Sequence, residues 1–564
     1  MGATNTLDRV AASVGLLDHV KPAFETALDI SNGGVLFALP ALLANGLLKS
    51  AENYFSLPNG YYGLDSLFLL MAFMALARLE TIEALRYEPP GEWGKLLGLD
   101  RIPEAKTLRQ KIGLLSDERQ PEKWMAELCR DWMESVPDLA GTLYIDGHVR
   151  VYHGQQTRLP KHYVARQKLC LRATTDYWVN AMDGQPFFVV NQAIDPGLIK
   201  VIEQEIVPEL EKRVPNQPSK QQLEDDPLLH RFMLVFDREG YSPDFLLRMK
   251  ELDIACQTYH KFAGEDWREE EFTLREVNLS SGHVVQMRLA ERGTHLGRKI
   301  WVREIRKLCD SGHQTSVLST NYQLDEVDIA AAMFARWSQE NFFKYMREHY
   351  NLDGLVAYST EAIPDTTVVI NPEYRRLDGE VRREVGKLSR RRAKFAAITL
   401  QGEIEPKRVE AYQLKKAKLQ EEIEISDQQV TVLKAARKQT KKHITVGELP
   451  SAERFDRLSI QSKYLIDSIK MIAYRAESAM ANICRQTMSH PDEARSILRA
   501  IYSTEADIHV DNDAGTLTVQ LHHLANNMSS LTVQQLCQEL TDTEIIFPGT
   551  ELRVIYKMVS PQNP

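Results

Sequence analysis

Three acidic residues stand where predicted elements could hold them firmly. Asp146 follows the apolar run LYI, Asp237 follows MLVF, and Glu340 lies in the helix-like stretch Leu324–Tyr350. A carboxylate at the C-terminal end of a strand faces the crevice where open α/β sheets bind ligands. Converging carboxylates repel one another unless a cation neutralises them, and Mg²⁺ or Mn²⁺ prefers oxygen ligands of this kind. The chemistry this spacing suggests is metal-assisted, in-line phosphoryl transfer at Asp146, Asp237 and Glu340.

A simpler interpretation of the three acids stays open at this point. The chain holds 78 acidic residues, so three of them could occupy such positions by chance. An acid directly after a buried strand is also often only the cap of the next helix. His148 shares a strand face with Asp146 and could touch a substrate, although a structural histidine is the plainer expectation. Asp176 and Asp183 are expected to be solvated acids.

The segments around these acids alternate strands and helices. Thr142–Gly154 predicts two short strands around Gly147, because β-branched and aromatic residues alternate there. An antiparallel β insertion is predicted at about 262–315, before the helix that carries Glu340. The remaining predicted elements are strands at 169–182, 186–192, 231–237, 253–259 and 315–321, with helices at 196–213 and 241–252. This order predicts an α/β class with a mixed sheet in residues 136–358.

The flanking regions have a different composition. Residues 1–135 are predicted to be helical, with apolar stretches at 33–48 and 64–79 that fall short of the roughly 20 residues of a membrane span. Residues 373–445 form a charged helical stretch, either an intramolecular hairpin or a dimeric coiled coil. Residues 450–564 predict an α+β domain. We therefore expect no membrane association, and a possible DNA-binding role for the N-terminal region.

Bulk composition limits the possible partners and compartments. The net charge of -9 excludes a uniformly basic nucleic-acid binder, so any DNA contact must use local basic patches such as Ser389–Lys394. Six scattered cysteines without a CxxC pair argue against a zinc ribbon and a disulfide scaffold. A reducing compartment fits this cysteine usage, so we expect a cytoplasmic protein associated with the nucleoid.

The sequence segments around the three acids resemble those of the DDE transposases of bacterial insertion sequences, most closely the insertion-sequence-4 type. The resembling segments are YIDGHVRVYHG, MLVFDREGYSP and VLSTNYQLDEVDIAAAMFARWSQENFFKYM, within about 142–358. The resemblance implies a ribonuclease-H-like catalytic core with a β insertion. It also implies Mg²⁺-dependent cleavage at transposon ends, with Mn²⁺ able to substitute, and strand transfer into double-stranded target DNA by a homodimer.

The resemblance assigns roles to individual residues. Asp146, Asp237 and Glu340 would be the metal ligands and catalytic residues. Arg336 and Lys344, one turn either side of Glu340, would contact DNA phosphate, as would Arg347. Two positions depart from the family's signature, since Met333 stands where a tyrosine is usual and Arg347 where a lysine is usual. In the C-terminal arm, the basic run Arg390, Arg391 and Arg392 is a further predicted DNA contact.

Two alternatives belong to other functional classes. One is a catalytically inactive DNA-binding protein derived from a transposase. The other is a structural or regulatory coiled-coil protein whose core only resembles the fold. Mg²⁺-dependent cleavage by the wild type, lost in Asp237→Asn, would separate the enzyme from both.

Overall fold

The protein is described by a computed structural model covering residues 5–117, 119–154, 158–164, 167–279, 284–334, 337–354, 360–361, 363–399, 406–451, 454–455, 457–524 and 529–559. The chain divides into two compact units. The first comprises residues 1–152, 161–359 and 459–564, and the second comprises 153–160 and 360–458.

Helices occupy much of both units. They are α1 (Thr6–Ser13), α2 (Leu39–Ala44), α3 (Ala51–Tyr54), α4 (Leu64–Leu76), α5 (Pro90–Lys95), α6 (Ala105–Leu115), α7 (Gln120–Ser135), α8 (Pro137–Ala140), α9 (Leu198–Val201), α10 (Val207–Arg213), α11 (Lys220–Asp225), α12 (Pro243–Glu251), α13 (Glu326–Phe334), α14 (Trp337–Tyr350), α15 (Pro372–Ala397), α16 (Pro406–Gln439), α17 (Gln461–Arg485), α18 (Ala494–Ser503) and α19 (Ser529–Thr541).

The strands fall into one large sheet and three small ones. They are β1 (Ala27–Ile30), β2 (Thr142–Val151), β3 (Lys161–Val164), β4 (Leu169–Asn180), β5 (Pro186–Gln192), β6 (Met233–Phe236), β7 (Ala255–Tyr259), β8 (Thr273–Asn278), β9 (Val284–Leu296), β10 (Ile300–Leu308), β11 (Gln314–Ser319), β12 (Thr360–Glu361), β13 (Val368–Ile370), β14 (His443–Thr445), β15 (Arg457–Leu458), β16 (Ala506–Asp511), β17 (Thr516–Leu521) and β18 (Arg553–Met558).

The large sheet is mixed, as the sequence predicts. Its order is β3-β4-β2-β6-β7-β11-β10-β9-β8, with β5 also paired to β4. The pairs β2–β6 and β6–β7 are parallel, and the other pairs of this sheet are antiparallel. Parallel neighbours need crossover connections, and α9–α11 and α12 provide them. The antiparallel strands expected at about 262–315 are β8, β9 and β10.

One strand prediction is wrong. Thr142–Val151 is a single strand rather than two strands around Gly147, since β2 pairs with β4 in one unbroken register from Tyr144 to Val151. A side chain at Gly147 would approach the Tyr177 ring at 3.0 Å, so the glycine makes room for that ring within a continuous strand. Asp146 therefore lies inside β2, and only the parallel pairing with β6 ends beside it.

Helix α17 is the central element of the first unit. It packs against α2, α4, α7 and β5, which brings the N-terminal helices and the C-terminal segment around the sheet. Helix α4 is apolar on all sides and buried from Leu67 to Leu76, as expected for a core helix. Among the described helices, none combines the length and apolarity needed to cross a membrane. The domain boundaries near 135, 358 and 450 stay predictions.

The second unit contains an antiparallel pair of long helices, α15 and α16. Leu388, Ile423 and Val430 form their buried core. Ser426 of α16 is also fully buried and accepts a hydrogen bond from Arg391 of α15. Helix α16 thus packs against α15 within one chain, which is the hairpin alternative of the sequence prediction.

Candidate functional site

Asp146 and Asp237 lie side by side on neighbouring parallel strands. The registered pairs of β2 and β6 end at Ile145 and Phe236, and each acid is the next residue along its chain. Parallel strands lie about 4.8 Å apart, so the two acids start from adjacent backbone positions. Both side chains are half-buried. This register brings the two aspartates to neighbouring positions, and their role as metal ligands stays a prediction.

Each of these aspartates also accepts a local backbone hydrogen bond. The Gly147 amide donates to Asp146 Oδ1 at 2.9 Å, and the Glu239 amide donates to Asp237 Oδ1 at 2.8 Å. Asp237 is therefore the cap of the short turn that follows β6, as the simpler interpretation expects. A carboxylate has about four acceptor positions, so the single bond from the Glu239 amide does not use all the acceptor capacity of Asp237.

Two further acids, absent from the sequence predictions, belong to the same neighbourhood. Partial burial raises the pKa of Glu239 to about 7, and the charges of Asp237, Asp195 and Asp146 add to the rise. Asp195 accepts hydrogen bonds from Tyr177 Oη at 2.7 Å and from the Gly197 amide at 2.8 Å. Burial alone would raise the pKa of Asp195, but His162 and these donors hold it below its usual range. Negative charge is thus concentrated at this edge of the sheet.

The sequence contained only a weak signal for this second pair. Asp195 directly precedes Pro196–Gly197, at the start of a helix, and such an acid is normally assigned as a cap. Its proximity to Asp146 depends on Tyr177, which lies opposite Gly147 in the register of β4 and β2. That register requires the pairing of strands about 30 residues apart.

Helix α14 packs against the strand that carries Asp146. Gln339 donates to the Tyr144 carbonyl at 3.3 Å and to Asn180 Oδ1 at 3.0 Å. Four residues later, the Phe343 ring stacks on His148 with centroids 5.3 Å apart. Tyr144 and His148 flank Asp146 on the same strand face, so the stretch from Gln339 to Phe343 passes Asp146. Glu340 itself is exposed.

The three predicted ligands do not form a tight cluster. In the described part of the chain, one group of three possible ligands has its donor atoms all within 4.8 Å of one another, and it consists of Asp29, Asp507 and His522. The carboxylates of Asp146, Asp237 and Glu340 therefore do not all approach that closely. Like charges at these positions favour separated rotamers, and an exposed glutamate has the freedom to turn towards the aspartates.

The predicted DNA-contacting residues occur in three settings. Arg336 lies outside the described residues, Lys344 is exposed, and Arg347 is half-buried. In the hairpin, Arg391 pairs with Glu422 at 3.3 Å and Arg392 pairs with Asp427 at 2.9 Å, so both brace α15 against α16. Arg390 is exposed, and within the described residues its guanidinium has no ion pair.

Two sequence expectations near the site have clear outcomes. Asp176 is not solvated; it is fully buried and bound by the Arg150 guanidinium through two hydrogen bonds. The prediction failed because β4 is covered on both faces over this stretch, which the sequence pattern did not indicate. His148 is buried, with its Nε2 2.5 Å from Asp353 Oδ1, so the structural interpretation fits its environment.

Comparison with known proteins gives a family match over nearly the whole chain. A family described as "Transposase protein" matches residues 1–560. No curated protein matches the chain. A solved structure, the cryo-EM structure of the piggyBac transposase synaptic complex with hairpin DNA, is similar at 10% identity, covering 82% of this chain and 81% of that one. Its TM-score of 0.27 is too low to carry an argument about the fold.

Proposed function

Because the chain belongs to this family of transposase proteins, we propose that it is a DDE-type transposase that cleaves transposon ends and joins them to target DNA. The observation that carries the proposal is the placement of Asp146 and Asp237 at adjacent positions of parallel strands, beside the helix of Glu340. Two carboxylates fixed by one register and a third on a packed helix suit a shared cation.

We assign the large sheet to a ribonuclease-H-like core of the insertion-sequence-4 type. Strand β4 pairs antiparallel with both β2 and β5. Further along the chain, β6 adds parallel to β2, and β7 adds parallel to β6. The antiparallel strands β8–β10 extend the same sheet before the chain enters α13 and α14. These features support the assignment, which places the insertion between the second acid and Glu340.

The donor set suits Mg²⁺ or Mn²⁺. Carboxylate oxygens are hard ligands. Burial is the main cause of the raised pKa of Glu239, and the charges of Asp237, Asp195 and Asp146 add to it. A divalent cation relieves that charge repulsion. Asp146, Asp237 and Glu340 would hold the metal. When bound, it would supply Lewis-acid activation of water and stabilise the leaving 3′ oxygen. The backbone amides of Gly147 and Glu239 would keep the two aspartates oriented.

Double-stranded DNA, at transposon ends and at the target, is the proposed partner of a homodimer. Lys344 and Arg347 lie one and two turns beyond Glu340 on α14, where cationic side chains would reach a phosphate backbone near the acids. We assign Arg336 the same role on the other side of Glu340. Of the three arginines predicted to contact DNA from the hairpin, Arg390 is the one without an ion pair among the described residues, so its charge is available for phosphate.

Cleavage of DNA carrying the inverted repeats that flank the gene tests the proposal. We expect Mg²⁺-dependent nicking by the wild type and at least a hundredfold slower nicking by Asp146→Asn, Asp237→Asn and Glu340→Gln. Asp244→Asn is a matched control, because Asp244 is an exposed acid near Asp237 whose partner is the surface residue Lys299. Wild-type rates in Asp237→Asn would refute the assignment. Binding of end DNA without any cleavage by the wild type would instead support a catalytically inactive DNA-binding protein.

A further inference from the structure

Glu477 is a buried carboxylate at the centre of a polar cluster away from the sheet edge. It lies on α17, has no exposed surface, and receives Arg78 Nη2 on both oxygens at 2.9 Å. The hydroxyls of Tyr345 and Tyr350 each donate to one of its oxygens. Arg495 Nη1 lies 3.8 Å from Oε1. One carboxylate therefore joins elements from four parts of the first unit.

The cluster keeps Glu477 ionised despite its burial. Burial alone would raise the pKa of this carboxyl, but Arg78, Arg495 and the two tyrosine hydroxyls outweigh it and hold the pKa below its usual range. The guanidinium groups are themselves covered by aromatic rings, with Arg78 4.4 Å from the Tyr350 centroid and Arg495 4.5 Å from that of Tyr345. Charge-assisted hydrogen bonds in such a setting are directional and fix their partners in place.

Tyr345 and Tyr350 belong to α14, the helix that carries Glu340. At 1.5 Å per residue, they lie roughly 7.5 and 15 Å along the axis beyond Glu340. The other end of α14 is held to the sheet by Ser338 Oγ, which donates to the Met182 carbonyl at 2.7 Å, and by Gln339. The helix is thus fixed at both ends, with Glu340 between the two attachments.

We infer that Glu477 is a positioning residue, which sets the rotation and axial position of α14 and so the reach of Glu340 towards Asp146 and Asp237. This inference rests on the proposed metal-binding function of those acids. Apolar packing would hold α14 against α17 but would permit small slides and rotations, whereas two hydroxyls bound to one fixed carboxylate oppose both. A partner bonded directly to a metal ligand typically changes metal affinity by about 10–100-fold. Glu477 acts on Glu340 only through the backbone of α14, so we expect an effect at the lower end of that range.

The test removes the two hydroxyls while leaving Glu477 paired with both arginines. In the full-length Tyr345→Phe/Tyr350→Phe variant, we expect Mn²⁺ binding, measured by electron paramagnetic resonance, to need at least tenfold more metal for half-saturation. Each single variant should need a Mn²⁺ concentration for half-saturation between those of wild type and the double variant. Tyr502→Phe is the matched control, since Tyr502 is a buried tyrosine of α18 whose hydroxyl donates to Met480 Sδ at 3.5 Å. Tyr502→Phe should leave Mn²⁺ binding unchanged, and its melting temperature should be similar to that of the double variant.

Several outcomes would overturn the inference. One is unchanged Mn²⁺ binding in the double variant, or in both single variants if the double variant does not fold. Another is an equal loss of binding in Tyr502→Phe, which would indicate general loosening instead of positioning. If Mn²⁺ binds to wild type but not to Asp237→Asn, the measured signal comes from the proposed site. If Asp237→Asn binds Mn²⁺ and cleaves like wild type, the proposed function fails; if only the tyrosine variants behave like wild type, the positioning role alone fails.

Discussion

The ion pair between Arg150 and Asp176 gives a sharp stability prediction for the sheet that carries Asp146. Both residues are buried, and the guanidinium binds the carboxylate through two nitrogens. Asp176→Asn removes the charge at nearly constant volume and leaves Arg150 buried without its hydrogen-bonded counter-charge. Breaking one side of such a pair costs about 3–5 kcal/mol. We expect Asp176→Asn to destabilise the first unit by that amount.

The double variant Arg150→Met/Asp176→Val separates pairing from packing. It removes both charges and refills the space with apolar atoms, so the desolvation cost of the pair disappears together with its attraction. Replacement of buried pairs in this way is often neutral or stabilising. We expect the double variant to be at least as stable as wild type, despite carrying two substitutions instead of one.

Hydrogen exchange of the β2 and β4 amides, followed in parallel with urea unfolding, measures this effect. A loss of about 3–5 kcal/mol corresponds to exchange faster by about two to four orders of magnitude in Asp176→Asn, where exchange proceeds by opening of the sheet. A loss below about 1 kcal/mol in Asp176→Asn would refute the reasoning. So would a double variant less stable than the single one.

Three further predictions concern other parts of the molecule. Burial alone would raise the pKa of Asp100, yet hydrogen bonds from Arg9, Tyr61 and the Asn5 amide hold it at about 2. Because this pKa lies below the unfolded value of about 4, the stabilisation is present above pH ~4 and is lost as the pH falls towards 2. Acid unfolding should therefore be steeper in wild type than in Arg9→Ala. Ile423→Ala should lower the stability of the hairpin by about 2–5 kcal/mol, while the same change at Ile425, 51% exposed against 9% for Ile423, should be nearly neutral in thermal unfolding followed by circular dichroism. Arg390→Ala should reduce, by about 0.9, the slope of the logarithm of the DNA-binding constant against the logarithm of the salt concentration. Arg392→Ala removes a partner of Asp427, so it should lower hairpin stability and have less effect on that slope.

Local sequence patterns were enough to predict strands and helices, but not every residue that lies near the candidate site. The apolar run before Asp237 and the alternation around Asp146 were enough to predict two neighbouring strands with an acid on each. The continuous course of β2 was not predictable, because Gly147 normally signals a turn and its role here is to admit the Tyr177 ring. Whether a glycine breaks a strand depends on the residue across from it, which a single segment does not reveal.

The environments of Asp176, Asp195 and Glu477 also depend on residues that are distant in sequence. Asp176 was expected to be solvated because its sequence context is turn-like or exposed, whereas its burial depends on contacts that form only in the folded unit. Asp195 precedes a helix as an ordinary cap does, and Glu477 is one of many acids in helices. Each becomes distinctive only through partners distant in sequence, such as Arg78, which lies 399 residues before Glu477. Buried polar networks of this kind are set by tertiary packing rather than by local preference.

Anomalous diffraction from crystals grown with Mn²⁺ would test the central claim most directly. Among the described residues, two places compete for the ion: the edge of the sheet at Asp146 and Asp237, and the group formed by Asp29, Asp507 and His522. We predict an anomalous peak bonded to carboxylate oxygens of Asp146 and Asp237, with Glu340 turned towards it. A peak confined to Asp29, Asp507 and His522, with none between Asp146 and Asp237, would contradict the assignment of the catalytic site.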